Sequence, residues 1–254
     1  MILGALIIII PIIILYYYRT GLNKPLAIAF LRMIVQLSLV GLYLEYIFDL
    51  NSILVNIAWA VLMILAAAYT IVERVELQLK YFFLPILIGI IVGIIVNGSV
   101  FAFLLVGSDS FFDARYIIPI MGMLIGNSLN SAIIGVRSFF KKLSSDIERY
   151  RYYLMCGATR NEALFQFISE AMQDAFSPTI ASTATIGLIW LPGMMTGQIL
   201  GGSYPITAIK FQIMIIITIF VGSVITLFIS LNLSKRFVFD EYDMFDRSIY
   251  RVKK

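Results

Sequence analysis

The segment from Leu191 to Gly202 reads LPGMMTGQILGG, and it interrupts a region of sequence that is otherwise strongly apolar. Proline lacks a backbone donor and clashes with the preceding helical turn, so a regular helix is expected to break at Pro192. Irregular backbone is costly in hydrocarbon, because no water is present to satisfy its polar groups. We therefore expect this segment to be buried within protein or to line a cavity, which makes it a candidate transport path.

The composition around this segment is typical of a membrane protein. Hydrophobic residues form 61% of the 254 residues and charged residues form 13%, against about 45–50% and about 25% in soluble domains. A bilayer-spanning helix needs about 20 apolar residues. We expect an all-α, polytopic protein with about seven transmembrane helices in one transmembrane domain over residues 1–254. The expected spans are residues 2–18, 26–46, 53–72, 82–106, 116–136, 178–200 and 208–231.

The first span is the shortest, and a cleaved signal peptide is the competing interpretation of its sequence. Signal peptides carry their positive charges before the apolar run. Here Arg19 and Lys24 follow it, and no small-residue cleavage site is evident. A retained first span therefore fits better.

The basic residues predict the orientation. With the amino terminus outside, 16 of the 19 Lys and Arg residues lie in inner segments, which include a loop at 137–177 and a tail at 234–254. Cytoplasmic segments of membrane proteins carry such an excess. We therefore expect a multi-pass protein of the plasma membrane with a cytoplasmic carboxyl terminus. The net charge of +4 is explained by topology, so no nucleic-acid partner is expected.

This chain lacks the residues that several classes of enzyme need for catalysis. There is no histidine, and Cys156 is the only cysteine. Serine-histidine hydrolysis, histidine-ligated zinc and cysteine metal clusters are therefore excluded. The chain also lacks the GxxxxGK[ST] phosphate loop of ATPases. We expect a protein that is not an enzyme and binds no cofactor of its own.

The inner loop at 137–177 has the pattern of two helices joined at a corner. The first is predicted over residues 148–156 and ends at Gly157, a common residue after a helix end. Thr159 and Glu162 have the spacing of a capping box, and the second helix is predicted to run to about Phe176. One interpretation is a helix that lies on anionic lipid. The other is a docking element for a cytoplasmic partner.

Two helix faces carry small or polar residues at every fourth position, namely Gly122, Gly126 and Asn130 in the fifth span and Gly193, Gly197 and Gly201 after Pro192, and Gly89 and Gly93 give the fourth span a weaker version. Such faces allow close approach of a neighbouring helix, and plain helix packing accounts for most GxxxG patterns. Polar residues at membrane depth normally face the bundle interior or a wet cavity, which favours a path here. Met194 and Met195 are weak candidates as soft metal ligands. The candidate path and hinge residues are Asn127, Ser128, Asn130, Pro192, Gly193, Met194, Met195, Thr196, Gly197 and Gln198.

Together these segments resemble the FetB/YbbM family of ABC-transporter membrane subunits. The resemblance rests on Leu191–Gly202 with Ala208–Ile213, on Arg32 with Gln36-Leu37, on Pro119–Met123 with Gly126–Ser128, and on Gly157-Ala158-Thr159. It covers most of the chain, from about Arg32 to Gln212. The LPGMMTGQ run is specific, whereas the Gly-Ala-Thr corner resembles the coupling loops of many permeases.

The resemblance implies a bacterial export permease that assembles as a homodimer with a separate cytoplasmic ATPase, which binds ATP and magnesium. Iron is the implied substrate. Plant members of the family are linked to aluminium tolerance and to sugar-nucleotide export, so a permease for an organic anion stays open, as does a transporter without an ATPase. The residues implied to couple the ATPase to transport are Gly157, Ala158, Thr159, Arg160 and Glu162.

Overall fold

A computed structural model describes residues 7–50, 52–101, 114–239, 244–245 and 249–250. The chain divides into two compact units, Met1–Ser52 and Ile53–Lys254. The first unit contains helix α1 (Ile9–Tyr17) and helix α2 (Asn23–Leu50). Gly21, in the turn between them, has φ +71°, a conformation that glycine adopts without strain. Residues 2–6 of the expected first span lie outside the described residues.

In its described residues, the second unit contains seven helices and a short 3₁₀ turn. Its long helices pack side by side around a core of aliphatic and phenylalanine side chains. Isolated bridges are the only extended pairings in the described ranges, so the prediction of an all-α protein is confirmed there. The helices are α3 (Ile53–Val75), α4 (Leu79–Phe101), α5 (Ala114–Ser145), α6 (Ile147–Met155), α7 (Arg160–Thr185), α8 (Gly193–Leu200) and α9 (Pro205–Ser234), followed by the turn Lys235–Phe237.

Five of the described helices are long and apolar enough to cross a bilayer, namely α2, α3, α4, α5 and α9. They correspond to five of the seven expected spans. The described part of the first span contains only the nine-residue helix α1. Residues 102–106 of the expected fourth span lie outside the described residues. The structure thus supports a polytopic helical membrane protein.

The expected sixth span, residues 178–200, is not one helix, and the break predicted at Pro192 comes earlier. Helix α7 passes through Pro178 and ends at Thr185. Pro178 supplies no N–H to the carbonyl four residues back, that of Asp174, and the Ser177 hydroxyl donates to the neighbouring Gln173 carbonyl at 2.6 Å. The chain leaves the helix at Gly187, where φ is +84°.

The expected inner loop at 137–177 is almost entirely helical. Helix α5 extends nine residues beyond Val136, to Ser145, and the prediction that the second loop helix ends near Phe176 is wrong. Helix α7 contains 26 residues and buries Leu164, Phe167 and Ala171 on the face that packs along α5. The loop is therefore a structured extension of the bundle, because its apolar face is covered by α5.

The closest helix packing joins α4 to α9. Gly89 and Gly93 lie so near to α9 that an added Cβ would come within 3 Å of its atoms. On α9, a Cβ added at Gly222 would likewise come within 3 Å of the side-chain amide of Asn97. Small residues permit this approach in membrane helices. The pattern at Gly89 and Gly93 is the weaker one in the sequence, yet Gly126 of the fifth span has no atom within 4 Å of an added Cβ.

The described part of the carboxyl-terminal tail packs on the bundle. The Gln78 amide donates to the Ile249 carbonyl at 2.9 Å, and the Tyr250 hydroxyl donates to the Phe140 carbonyl at 3.0 Å. The ring of Phe239 stacks on Tyr150, with centroids 5.0 Å apart. These contacts bring the end of α3, the basic end of α5 and the tail to one end of the bundle.

Candidate functional site

The first part of the candidate site is the break between α7 and α9. Helix α7 gives way to a bend at residues 186–192, in which the Gly187 amide donates to the Trp190 carbonyl at 3.0 Å. Helix α8 then begins at Gly193 and ends after two turns at Leu200. It packs mainly on α9 and not extensively on α5. Within the described part of one chain, the two predicted sets of path residues are therefore not brought into one lining.

Helix α8 has a buried side and an open side. Pro192 is buried, and its carbonyl accepts from the Thr196 hydroxyl at 3.1 Å. Thr196 and Gln198 are partly buried. Gly193 and Gly197 are exposed, with no atom within 4 Å of an added Cβ. The predicted glycine face is thus present on α8, but no neighbouring helix in the described part of the chain packs against Gly193 or Gly197.

The two adjacent methionines point to different surroundings. Met195 is 8% exposed, whereas Met194 is 41% exposed. Successive residues of a helix differ by about 100° in direction, so these neighbours do not present both sulfur atoms to one side of α8. Among the described residues, no cluster of three or more acidic or cysteine side chains suits a metal ion. The metal role of the pair stays a prediction.

The polar residues of the fifth span lie on two sides of α5. Ser128 is 3% exposed, so it belongs to the packed interior. Asn127 and Asn130 are exposed. The Asn127 amide donates to the Met123 carbonyl at 2.8 Å, one turn back along the helix. Polar groups at membrane depth normally face protein or water. We therefore expect this surface of α5 to contact protein or water rather than lipid alone.

A hydroxyl-rich run near the end of α7 was missed in the sequence. The segment 177–185 reads SPTIASTAT, and most of it is exposed. Its hydroxyls bond to carbonyls of the same helix, as in the Thr183 hydroxyl that donates to the Thr179 carbonyl at 2.8 Å. The signal was the density of serine and threonine inside an apolar stretch. Together with Asn127 and Asn130, it adds a second uncovered polar surface to the unit.

The second part of the candidate site is the corner between α6 and α7. Helix α6 ends at Met155, and Gly157 has φ +88°. A residue with a Cβ is strained in this conformation. The amide of Gly157 donates to the Leu154 carbonyl at 2.9 Å and that of Ala158 to the Tyr153 carbonyl at 3.0 Å. Glycine thus closes the end of α6 and turns the chain into α7.

The predicted capping box at the start of α7 is confirmed. The Thr159 amide donates to the Glu162 carboxylate at 2.7 Å, and the Glu162 amide donates to the Thr159 hydroxyl at 3.4 Å. The hydroxyl of Thr159 also donates to that carboxylate, and these hydrogen bonds lower the pKa of Glu162. Arg160, the first residue of α7, has its guanidinium over the ring of Phe239, 5.5 Å from the centroid.

Ion pairs fix the corner to α5. Arg149 of α6 contacts the Asp146 carboxylate at 3.0 Å and the Glu170 carboxylate at 3.5 Å. Its guanidinium lies 4.3 Å from the ring centroid of Phe167. On α5, Lys142 contacts Asp174 at 2.8 Å. The hydrogen bond from Lys142 is the largest cause of the lowered pKa of Asp174, with a second from Ser138.

A second link joins the corner to α9. The Lys235 ammonium donates to the side-chain carbonyl of Asn161 at 2.9 Å and to that of Asn232 at 2.8 Å. Asn161 lies in the first turn of α7, whereas Asn232 lies in the last turn of α9. Helix α7 is therefore held to the end of α9 at its start and to α5 further along, so the corner and the helix bundle are connected.

Large apolar side chains project from the corner. Met155 is 78% exposed, Phe165 is 73% exposed and Tyr152 is 61% exposed. These residues flank Gly157 on α6 and α7, outside the five helices that are long and apolar enough to cross a bilayer. Exposed apolar patches rimmed by polar residues mark surfaces that bind protein or membrane. The corner therefore combines a rigid, capped turn with a surface suited to a partner.

Comparisons with known proteins bear on both parts of the site. Residues 1–239 match the family described as Uncharacterised protein family (UPF0014). The chain is 32% identical over 213 residues to the UPF0014 membrane protein YjkA of Bacillus subtilis, covering 82% of each chain. It is 30% identical over 213 residues to the probable iron export permease protein FetB of Escherichia coli, covering 84% of this chain and 81% of FetB.

A plant relative matches as well. The protein ALUMINUM SENSITIVE 3 of Arabidopsis thaliana is 30% identical over 217 residues, which cover 84% of this chain and 76% of the relative. No solved structure matches the chain. The family match extends over both units and includes the break, the α6–α7 corner and the polar surface of α5. The chain therefore belongs to the UPF0014 family of membrane proteins, as its motifs indicated.

Proposed function

We propose that the chain is the membrane subunit of an ATP-driven exporter of the plasma membrane, and that a separate cytoplasmic ATPase binds its α6–α7 corner. The observation that carries the proposal is the corner itself. Gly157 holds a positive φ, the following helix has a complete capping box, and Tyr152, Met155 and Phe165 expose large apolar surfaces beside it. Because the corner is rigid and exposes apolar side chains, an ATPase that binds it can displace α7.

The orientation that suits this proposal has the carboxyl terminus and the corner in the cytoplasm. The turn after α3, the end of α5 and the tail lie at one end of the bundle, as the hydrogen bonds of Gln78 and Tyr250 indicate. The basic side chains Arg74, Arg137 and Lys141 lie at the same end. An excess of basic residues is typical of the cytoplasmic side, where the ATPase and its ATP and magnesium are located.

The proposed mechanism transmits the movement of the ATPase through α7. Closure of the ATPase displaces the corner at Gly157, and α7 carries the displacement without interruption to the bend at Gly187. The bend and α8 then shift relative to α9. This movement alters access to a path along the uncovered polar surfaces of α5 and α7.

A second copy of the chain is proposed to complete that path. Asn127, Asn130 and the hydroxyl-rich run at 177–185 are uncovered within one chain. So are Gly193 and Gly197, where another helix could approach closely. A homodimer would cover these surfaces and enclose a polar route between them.

The proposed substrate is a metal ion, with iron as the first choice. Support comes from the relative FetB, which is named a probable iron export permease protein. The uncovered polar side chains present amide and hydroxyl oxygens, which suit hard cations better than soft ones. Measuring which metal ions stimulate ATP hydrolysis by the reconstituted permease and ATPase would identify the substrate.

The test of the coupling role replaces Gly157. In Gly157→Val, a β-branched side chain is forced into a left-handed conformation, so transport in proteoliposomes should fall while the variant still assembles with the ATPase. The matched control is Gly157→Asn, because asparagine tolerates this conformation. Unchanged coupling of ATP hydrolysis to export in Gly157→Val would contradict the proposal.

A further inference from the structure

A cleft of about 370 Å³ runs along the last turns of α5, around residue 136, where the expected fifth span ends. Its lining changes from apolar to basic along the helix. Ile133 and Ile134 lie at the end nearer the membrane, and Arg137, Lys141 and Lys142 follow within two to three turns. Asp174 of α7 closes one side.

The apolar end of the cleft is open to a ligand. Ile134 is 42% exposed, and Ile133 is partly exposed. The rise of an α-helix places Lys141 about 10 Å from Ile134 along the axis. A ligand that contacts both therefore has an apolar part and an anionic part separated by about that length.

The free positive charge of the cleft resides on Lys141 and Arg137. Lys142 is neutralised by Asp174 at 2.8 Å and by Glu170 at 3.4 Å. In the described ranges, Lys141 has no ion-pair partner within 4 Å. The Arg137 guanidinium donates to the carbonyl of Arg74. That bond uses one of its five N–H donors, so the guanidinium keeps donors for a ligand.

A neighbouring cleft shares Arg137 and Lys141 but not the two isoleucines. Its volume is about 480 Å³. Its lining contains neither Ile133 nor Ile134, so it lacks the apolar wall that an acyl chain would use. The cleft bounded by the two isoleucines therefore has the better combination of apolar wall and unpaired positive charge.

We propose that this cleft binds an anionic phospholipid, with the phosphate on Lys141 and Arg137 and the acyl chain along Ile133 and Ile134. Basic pockets beside transmembrane helices bind lipid headgroups in this way. A free phosphate ion offers the same anionic chemistry, but it does not use the isoleucine wall.

The test measures binding of three probes to the full-length protein in detergent by native mass spectrometry. The probes are a short-chain phosphatidylglycerol, the matching phosphatidylcholine, and sodium phosphate. We expect phosphatidylglycerol to bind more tightly than phosphatidylcholine. Lys141→Gln should weaken phosphatidylglycerol binding about fivefold, the effect expected for one basic residue at a membrane surface.

Two further variants separate the possible explanations. Lys80→Gln removes an exposed lysine near the start of α4 that lines neither cleft, so it should change binding less than twofold. Ile134→Ala should weaken lipid binding about threefold through lost apolar contact. Equal losses in Lys141→Gln and Lys80→Gln would overturn the proposal in favour of a nonspecific basic surface. Displacement of the lipid by millimolar phosphate, with no effect of Ile134→Ala, would assign the cleft to a soluble anion and also overturn it.

Discussion

Replacing Gly89 by alanine should destabilise the bundle through the contact between α4 and α9. An ideal Cβ at this position lies 2.3 Å from the Ser230 hydroxyl and 2.7 Å from the carbonyl oxygen of Thr226. The serine side chain can rotate, but the Thr226 carbonyl belongs to the backbone of α9, so the two helices must move apart. Overpacking of this kind costs about 1–3 kcal/mol.

The matched control is Gly126→Ala, because an added Cβ there has no atom within 4 Å. Both glycines lie inside helices, so both substitutions gain the same helix propensity, about 1 kcal/mol. The difference between the two variants therefore isolates the overpacking term. We expect Gly89→Ala to be less stable than Gly126→Ala by about 1–3 kcal/mol.

The assay is unfolding of the purified full-length protein in mixed detergent micelles, followed by circular dichroism as the denaturing detergent is increased. The midpoint should fall for Gly89→Ala and should stay or rise for Gly126→Ala. Equal midpoints for the two variants would refute the close approach of α4 and α9. A loss confined to Gly126→Ala would show that the fifth-span glycine is the one in tight contact.

Three other changes test the ion pair between α5 and α7, the helix cap of α7 and the contact of the tail with α5. Asp174→Asn removes the ion pair with Lys142, which is partly exposed, and should cost about 0.5–1 kcal/mol at pH 7. Because the pKa of Asp174 is lowered in the folded protein, its contribution is complete above about pH 4 and is lost as the pH falls further. The asparagine variant should lose that part of the pH dependence, and an unaltered acid-unfolding curve would count against the pair. Thr159→Ala removes the helix cap and should cost about 1 kcal/mol, seen as faster amide hydrogen exchange in the first turn of α7 and not in α6. Tyr250→Phe loses the hydrogen bond to the Phe140 carbonyl and should cost about 0.5–1.5 kcal/mol in the same unfolding assay, while a neutral result would show that the tail contributes no stability through this bond.

Short-range signals predicted the α6–α7 corner well. The glycine that follows α6 and the Thr159–Glu162 spacing are both local patterns, and each satisfies backbone groups within a few residues. Apolar run length similarly located five helices that can cross a bilayer. These features depend on neighbours in sequence, so one sequence is enough to place them.

The path of the chain between α7 and α9 depended on contacts that local patterns do not contain. The sequence predicts a helix that ends near Phe176, yet α7 continues through Pro178 to Thr185 and packs along α5. The break falls instead at Gly187, where the backbone adopts a left-handed conformation. A glycine permits a positive φ without requiring it, so Gly187 by itself does not mark the break.

The ranking of the glycine pairs failed for a related reason. Gly122 and Gly126 have the same spacing as Gly89 and Gly93, and polarity made the fifth-span pair the more prominent. Which face is used depends on the partner helix. Helix α9 supplies Gly222, Thr226 and Ser230 at the same four-residue interval, and their alignment with α4 is set by the fold. The placement of the tail on the bundle is a long-range contact of the same kind.

The uninterrupted course of α7 makes it a lever of known length. Its 26 residues correspond to about 39 Å at the rise of an α-helix. If one end pivots, a tilt of about 5° displaces the other end by about 3 Å, which exceeds half the rise of one helical turn. A helix that ended at Phe176 would have been shorter by nine residues and would have stopped before the bend. The position at which α7 ends therefore determines how far a small rotation at one end displaces the other end.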